Sequence, residues 1–139
     1  TGNIDGKKIY AIKPLTFMNN SGICIRELIE YFKIESEDVI VFHDDLDIDF
    51  GKIKAKFAGS SAGHNGIESI DKFIGKDYSR IRIGIGKPKK NSDVTDHVLK
   101  DFDEEEIKDL KKITNNITDS LSILLDKKLD LFSSAINNK

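Results

Sequence analysis

The stretch "DVIVFHDDLDIDFGKIKAKFAGSSAGHNG", residues 38–66, decides how the chain must fold. Val39, Ile40, Val41 and Phe42 form an apolar run that reads as a buried strand. It delivers the chain into His43, Asp44, Asp45, Asp47 and Asp49. Next, "GKIKAKF" alternates Lys52, Lys54 and Lys56 with Ile53, Ala55 and Phe57, the two-residue period of a strand with one cationic face. "AGSSAGHNG" is a small-residue loop. Ile67, Ile70, Phe73 and Ile74 then mark a short amphipathic helix ended by Gly75.

The flanks extend the pattern. Upstream, "TGNIDGKK" reads as a polar turn running into a strand, as if a hairpin were entered halfway, and Lys8–Lys13 alternates until Pro14 closes it. "NNSGICIRELIEYFKI" predicts a helix through Cys24, Ile25, Leu28, Ile29 and Phe32, with Asn19, Asn20 and Ser21 supplying capping side chains. Downstream, "SRIRIGIG" is a strand with Ile81, Ile83 and Ile85 opposite Arg80 and Arg82, and "KPKKNSD" is a loop. A long helix is expected over 103–126, its Asp103–Glu106 start suiting a positive helix end, followed by a last piece holding Leu129, Phe132 and Ile136. Strands alternating with helices, without repeats or linkers, predict one α/β domain over residues 1–139. The expected form is a three-layer sandwich: a mixed, mostly parallel central sheet flanked by helices.

Composition narrows the class. With 139 residues, 38% hydrophobic and 33% charged, the chain fits a globular protein with a real core. No run approaches the ~20 apolar residues of a membrane span. The single Cys24 cannot form an internal disulfide, and the start is neither signal-like nor transit-like, so a cytoplasmic location is expected. Net charge is −2, yet residues 51–90 carry ten Lys/Arg against Glu68, Asp71 and Asp77, which leaves this segment at +7 and the remainder at −9. Such asymmetry suggests a basic face for a polyanion, or a cluster of solvated lysines.

The acids after the first buried strand permit several chemistries. They lack the glycine and glutamate spacing of a helix-flanked calcium loop, and Cys24 with scattered His43, His64 and His97 makes no zinc set. No metal or other cofactor is expected. An acid at a strand's carboxyl end is well placed to orient a histidine, or it simply terminates a turn. "AGSSAGHNG" could cradle phosphates before a helix start, though it is no Walker motif, and His64 and Asn65 could equally cap that helix. In "KPLTFMNNSG", Phe17 and Met18 would usually be core and Asn19 a cap.

Taken in order, "KPLTFMNNSG", "VFHDDLDIDFGKIKAKFAGSSAGHNGIESI" and "SRIRIGIGKP" closely resemble the bacterial peptidyl-tRNA hydrolase family, from about Ile9 to the terminal helix. The resemblance implies an esterase, requiring no metal, that cuts the bond between a peptide and the 3′ adenosine of tRNA and so recycles tRNA for translation. It implies that Asp44 orients a histidine acting as base on water, and that Asn19 and Asn65 bind the peptide end and position water. Met18 and His64 line the same groove, while Lys54 and Lys56 face the tRNA. Asp45, Asp47 and Asp49 are then turn and surface residues, and His43 is structural. Ester hydrolysis by activated water needs such a base, an orienting carboxylate and amide donors for the oxyanion. A cytoplasmic monomer whose partner is peptidyl-tRNA is expected.

Two departures qualify that expectation. The family's glycine-rich loop before His-Asn reads "AGSSAG" here, and the segment with the family's Thr-Arg-His-Asn motif has no match in the sequence. None of His43, His64 and His97 corresponds to the family's catalytic histidine, so the chain reads as N-terminally incomplete and impaired in hydrolysis. The alternatives are a non-hydrolytic RNA-binding relative and a generic phosphate-ester binding domain.

Overall fold

The structure, a computed structural model, describes residues 1–90 and 92–139. They gather into two compact units, one of residues 1–41 and 57–80 and one of residues 42–56 and 81–139.

The first unit opens with a hairpin, β1 (Gly2–Ile4) paired antiparallel to β2 (Lys7–Ile9) in the register Gly2 to Ile9. The expected polar turn is therefore a complete hairpin. Asp5 and Gly6 both take positive φ (49° and 77°), the two-residue connection that matches strand twist. β2 ends at Ile9, four residues short of the expected strand, since no partner strand among the described residues extends the ladder. A 3-10 turn at Met18–Asn20 leads into α1 (Ser21–Phe32). Among the described residues, Asn20 makes no side-chain capping bond there, contrary to expectation. Lys33 ends the helix in the left-handed region, with Ile34 N–H donating to Ile29 O.

α1 packs on α2 (Asn65–Ile74) at very short range. A Cβ on Gly22 would overlap the Ser69 carbonyl, and Gly22 N–H donates to Ser69 Oγ at 2.9 Å. Only glycine permits this approach. Ile25, Ile67, Ile70 and Tyr78 form the buried cluster, with Ile29, Val39, Val41 and Ile74 around it. Tyr78 is fully buried, and its hydroxyl donates to Asp71 Oδ1 at 2.7 Å. Burial first, then the neighbouring carboxylate, pushes its ionisation far up, so the ring stays neutral.

The sheet strands are β3 (Ile40–Asp45), β4 (Ile53–Phe57) and β5 (Ser79–Gly84), in the order β3-β5-β4. Ser79 N–H donates to Val39 O and Ile85 N–H to Asp45 O, so β3 and β5 run parallel. Ala58 N–H donates to Tyr78 O and Gly84 N–H to Lys52 O, so β4 runs antiparallel to β5. The sheet is mixed, as expected for the α/β class. β3 is less buried than its apolar run suggests, with Phe42 43% exposed, and among the described residues it pairs on one side only, with β5.

The second unit buries Ile48, Ile53, Ile81, Ile113, Leu124, Phe132 and Ile136. It also holds a helix that apolar spacing does not predict, α3 (Val94–Leu99). Asp93 caps it by accepting from Thr95 N–H at 3.1 Å, a signal carried by the sequence "SDVT". The loop expected over 87–93 includes Asn91, which lies outside the described residues. The long helix is two pieces, α4 (Glu104–Asp119) and α5 (Leu121–Leu125). Asp103 and Glu106 form a reciprocal capping box at its start. Thr114 and Thr118 donate their hydroxyls to the carbonyls four residues back, which bends helices, and the break follows at Ser120. α6 (Leu129–Asn137) completes the unit.

Candidate active site

Four of the seven predicted site residues lie in the first unit, on two adjoining features. Met18 and Asn19 belong to the 3-10 turn, and His64 and Asn65 begin α2, against which that turn packs. A Cβ on Gly66 would press into the Met18 sulfur, so the absence of a side chain lets the two features meet. Met18 is 54% exposed and Phe17 85% exposed, so neither is core. His64 is the N-cap of α2. Its Nδ1 accepts from Gly66 N–H at 3.1 Å and Ile67 N–H at 3.2 Å. With Nδ1 serving as acceptor, the proton of the neutral ring sits on Nε2. The capping role read for this histidine is therefore met, while the Asn65 side chain lies at the surface.

The loop into this helix start is held in an unfavourable backbone. Ala58 (φ 59°) and Ala62 (φ 49°) occupy the left-handed region beside Gly59 and Gly63. That region costs an L-residue about 1–2 kcal/mol. The loop is secured by its own bonds, Ala62 N–H to Ser60 Oγ, His64 N–H to Ser61 O and Ser61 Oγ to Glu68 Oε1. Arg80 adds a fourth, donating from Nη1 to Ser60 O at 2.8 Å. This arginine is buried beside the Tyr78 ring, and its Nε and Nη2 have no hydrogen-bond partner among the described residues.

The second unit carries Asp44, Lys54 and Lys56. Asp44 is half-buried near the end of β3, and its carbonyl lies 2.8 Å from His43 Nδ1. His43 thus bonds to backbone, in keeping with a structural role. Asp45 is more than the surface residue expected. Its side chain is 9% exposed, its Oδ2 receives Arg82 Nε–H at 2.7 Å, and its Oδ1 accepts from Asp47 N–H at 2.8 Å. Burial works against the charged carboxyl, but the Arg82 and Asp47 hydrogen bonds and the positive charge of Arg82 outweigh it and lower its pKa. Asp45 and Arg82 stand 37 residues apart, so no local pattern signals the pair. Lys54 and Lys56 are exposed along β4. Arg80 and Arg82, counted with the basic segment from sequence, are respectively buried and ion-paired, which leaves the basic face to lysines.

Among the described residues, no group of three or more His, Cys, Asp or Glu is placed to hold a metal ion, and no helix is long and apolar enough to cross a membrane. His97 Nε2 lies within 3.0 Å of Gly86 O and 3.2 Å of Ile85 O, so it too serves the backbone.

Comparison with known proteins places these features in a family. The peptidyl-tRNA hydrolase family profile matches residues 1–139. A peptidyl-tRNA hydrolase of Pelagibacter ubique is 81% identical over the whole chain, which spans 75% of that protein. Another, from Aliarcobacter butzleri, is 45% identical over 96% of the chain and 73% of its own length. The crystal structure of peptidyl-tRNA hydrolase from Acinetobacter baumannii superposes with a TM-score of 0.87 at 31% identity, covering 98% of this chain and 69% of that one.

Proposed function

The chain belongs to the peptidyl-tRNA hydrolase family, and from that premise we propose how its residues divide the work of cleaving the ester between a peptide and the 3′ end of tRNA. The chain is a hydrolase of translation. Asp44 is the orienting carboxylate for the histidine base of the family's Thr-Arg-His-Asn segment, which these 139 residues do not include. Where that segment is supplied, Asp44 holds the imidazole and stabilises its cationic form while water attacks. Asn19 and Asn65 offer amide donors to the peptide end and to the developing oxyanion. Met18 and His64 line the groove that receives the peptide. His64 serves through its Nε2–H rather than as a base, because its Nδ1 is committed to two backbone N–H groups. Lys54 and Lys56 meet tRNA phosphates along one strand face.

The observation that carries this reading is the meeting of the Met18–Asn20 turn with the start of α2, which brings two asparagines, a methionine and a histidine of fixed tautomer onto adjoining features. The family match over residues 1–139 supports treating them as one domain. We read the protein as a cytoplasmic monomer.

The test is cleavage of peptidyl-tRNA by the chain, by a version extended to carry the family's Thr-Arg-His-Asn segment, and by Asn65→Ala in that extended version. Removing an oxyanion donor costs about 10²–10³ in rate in other enzymes, and the exposed Asn65 side chain can be lost without unfolding α2. Unchanged cleavage by Asn65→Ala would overturn the assignment. Binding of tRNA without cleavage by the extended version would favour the RNA-binding alternative.

A further inference from the structure

The outer edge of β4 is closed by a helix instead of another strand. β4 is the last strand in the order β3-β5-β4, and its inner side bonds to β5 through Gly84 N–H and Lys52 O. On the outer side, Ile53 N–H donates to Asn137 Oδ1 at 2.9 Å, and Asn137 Nδ2 donates back to Ile53 O at 2.7 Å. Two residues on, Ala55 N–H donates to Ser133 Oγ at 2.8 Å. The Ser133 hydroxyl in turn donates to Leu129 O within α6.

The spacing explains why this works. Residues four apart on a helix rise about 6 Å, and residues two apart on a strand advance about 6.6 Å. Ser133 and Asn137 therefore meet Ala55 and Ile53 in register. The Asn137 amide reproduces the donor and acceptor of a peptide unit, so α6 stands in for a neighbouring strand and removes an exposed edge. Lys54 lies between the two fixed residues and Lys56 follows directly, with both side chains exposed. An edge left open would let this backbone twist and fray, and the lysine row with it.

We infer that Ser133 and Asn137 are positioning residues for the tRNA, holding Lys54 and Lys56 in line for the phosphate backbone without touching it themselves. The inference rests on the reading of those lysines as tRNA-binding residues. Its test is the salt dependence of deacylated tRNA binding by Ser133→Ala/Asn137→Ala, beside Lys54→Ala/Lys56→Ala. The α6 double variant is expected to weaken binding about fivefold to tenfold and to lower the salt slope by about 0.7–0.9 for each phosphate no longer neutralised. In a version extended to carry the family's Thr-Arg-His-Asn segment, KM for peptidyl-tRNA rises accordingly while kcat stays within about twofold, a split that general loss of packing would not produce. Ser133→Thr, which keeps the hydroxyl, restores binding. If the lysine variant flattens the slope and a folded α6 variant leaves it unchanged, the positioning role is rejected and the tRNA reading stands. If the lysine variant also leaves the slope unchanged, the tRNA reading of β4 falls. Should the α6 double variant not fold, Ser133→Ala alone decides: weakened binding supports the inference and unchanged binding rejects it.

Discussion

Two connections leave the sheet strands and are built in opposite ways. After β3, the acidic turn satisfies its groups: Asp45 pairs with Arg82 and caps Asp47 N–H, and a Cβ on Gly84 would overlap the carbonyls of Ile48 and Asp49. After β4, the small-residue loop holds two alanines in the left-handed region and rests on an arginine with two donors unspent among the described residues. The first connection is stabilised by what it contains. The second keeps a costly backbone shape, a feature that clusters at ligand sites. Charge density in the sequence is thus a poor guide to function, since the most buried acid of the first connection, Asp45, serves the turn.

The largest test of that division separates the neighbours Asp44 and Asp45. In a chain extended to carry the family's Thr-Arg-His-Asn segment, Asp44→Asn should lower kcat for peptidyl-tRNA steeply, since losing the orienting carboxylate costs up to about 10⁴-fold in the serine-protease case, with thermal stability retained. A variant within twofold of the parent would make Asp44 another turn residue.

Asp45→Ala should act on stability, by about 2 kcal/mol, the scale of hydrogen bonds to charged groups. The acid limb gives the sign. Because the folded Asp45 carboxyl has a lowered pKa, its contribution is complete above about pH 4, the unfolded value. It is lost as pH falls through the lowered folded value. Acid titration of the parent against Asp45→Asn should show that component missing from the variant.

Arg80→Met probes the other connection. Losing the bond to Ser60 O is offset by removing a buried cation whose Nε and Nη2 have no hydrogen-bond partner among the described residues, so Tm should move little. Amide exchange over residues 60–63 should nevertheless quicken once the bond to Ser60 O is gone. Slower or unchanged exchange would mean that the loop secures itself.

The smallest effect is expected from Ala58→Gly and Ala62→Gly. Relief of the left-handed strain is partly offset by the entropy of an added glycine. A net gain of roughly 0.5 kcal/mol each, the difference between those two terms, should appear in denaturant unfolding.

The element types are largely legible from residue patterns. The alternation in 52–57 and the helical spacing of Ile67, Ile70 and Ile74 reflect local burial, which sequence reports directly. The hairpin carries a signal in Asp5-Gly6, and α3 carries one in Asp93. The break at Ser120 depends on threonine hydroxyls turning back on the helix, a choice that apolar periodicity cannot register. The proposed site rests on ordered motifs matching a family, which point to Asn19, Asp44 and Asn65 where single-residue readings favour caps and turns. The Asp45–Arg82 pair and the bonds from Ser133 and Asn137 to β4 join residues 37 to 84 positions apart. No pattern within a window could expose them.

The helix that closes the edge of β4 also sets a clock on biosynthesis. Asn137 follows Ile53 by 84 residues, and ribosomes add about 5–20 residues each second. The strand is therefore made about 4 to 17 seconds before the side chains that will shield it, and throughout that interval its backbone can be claimed by another nascent chain.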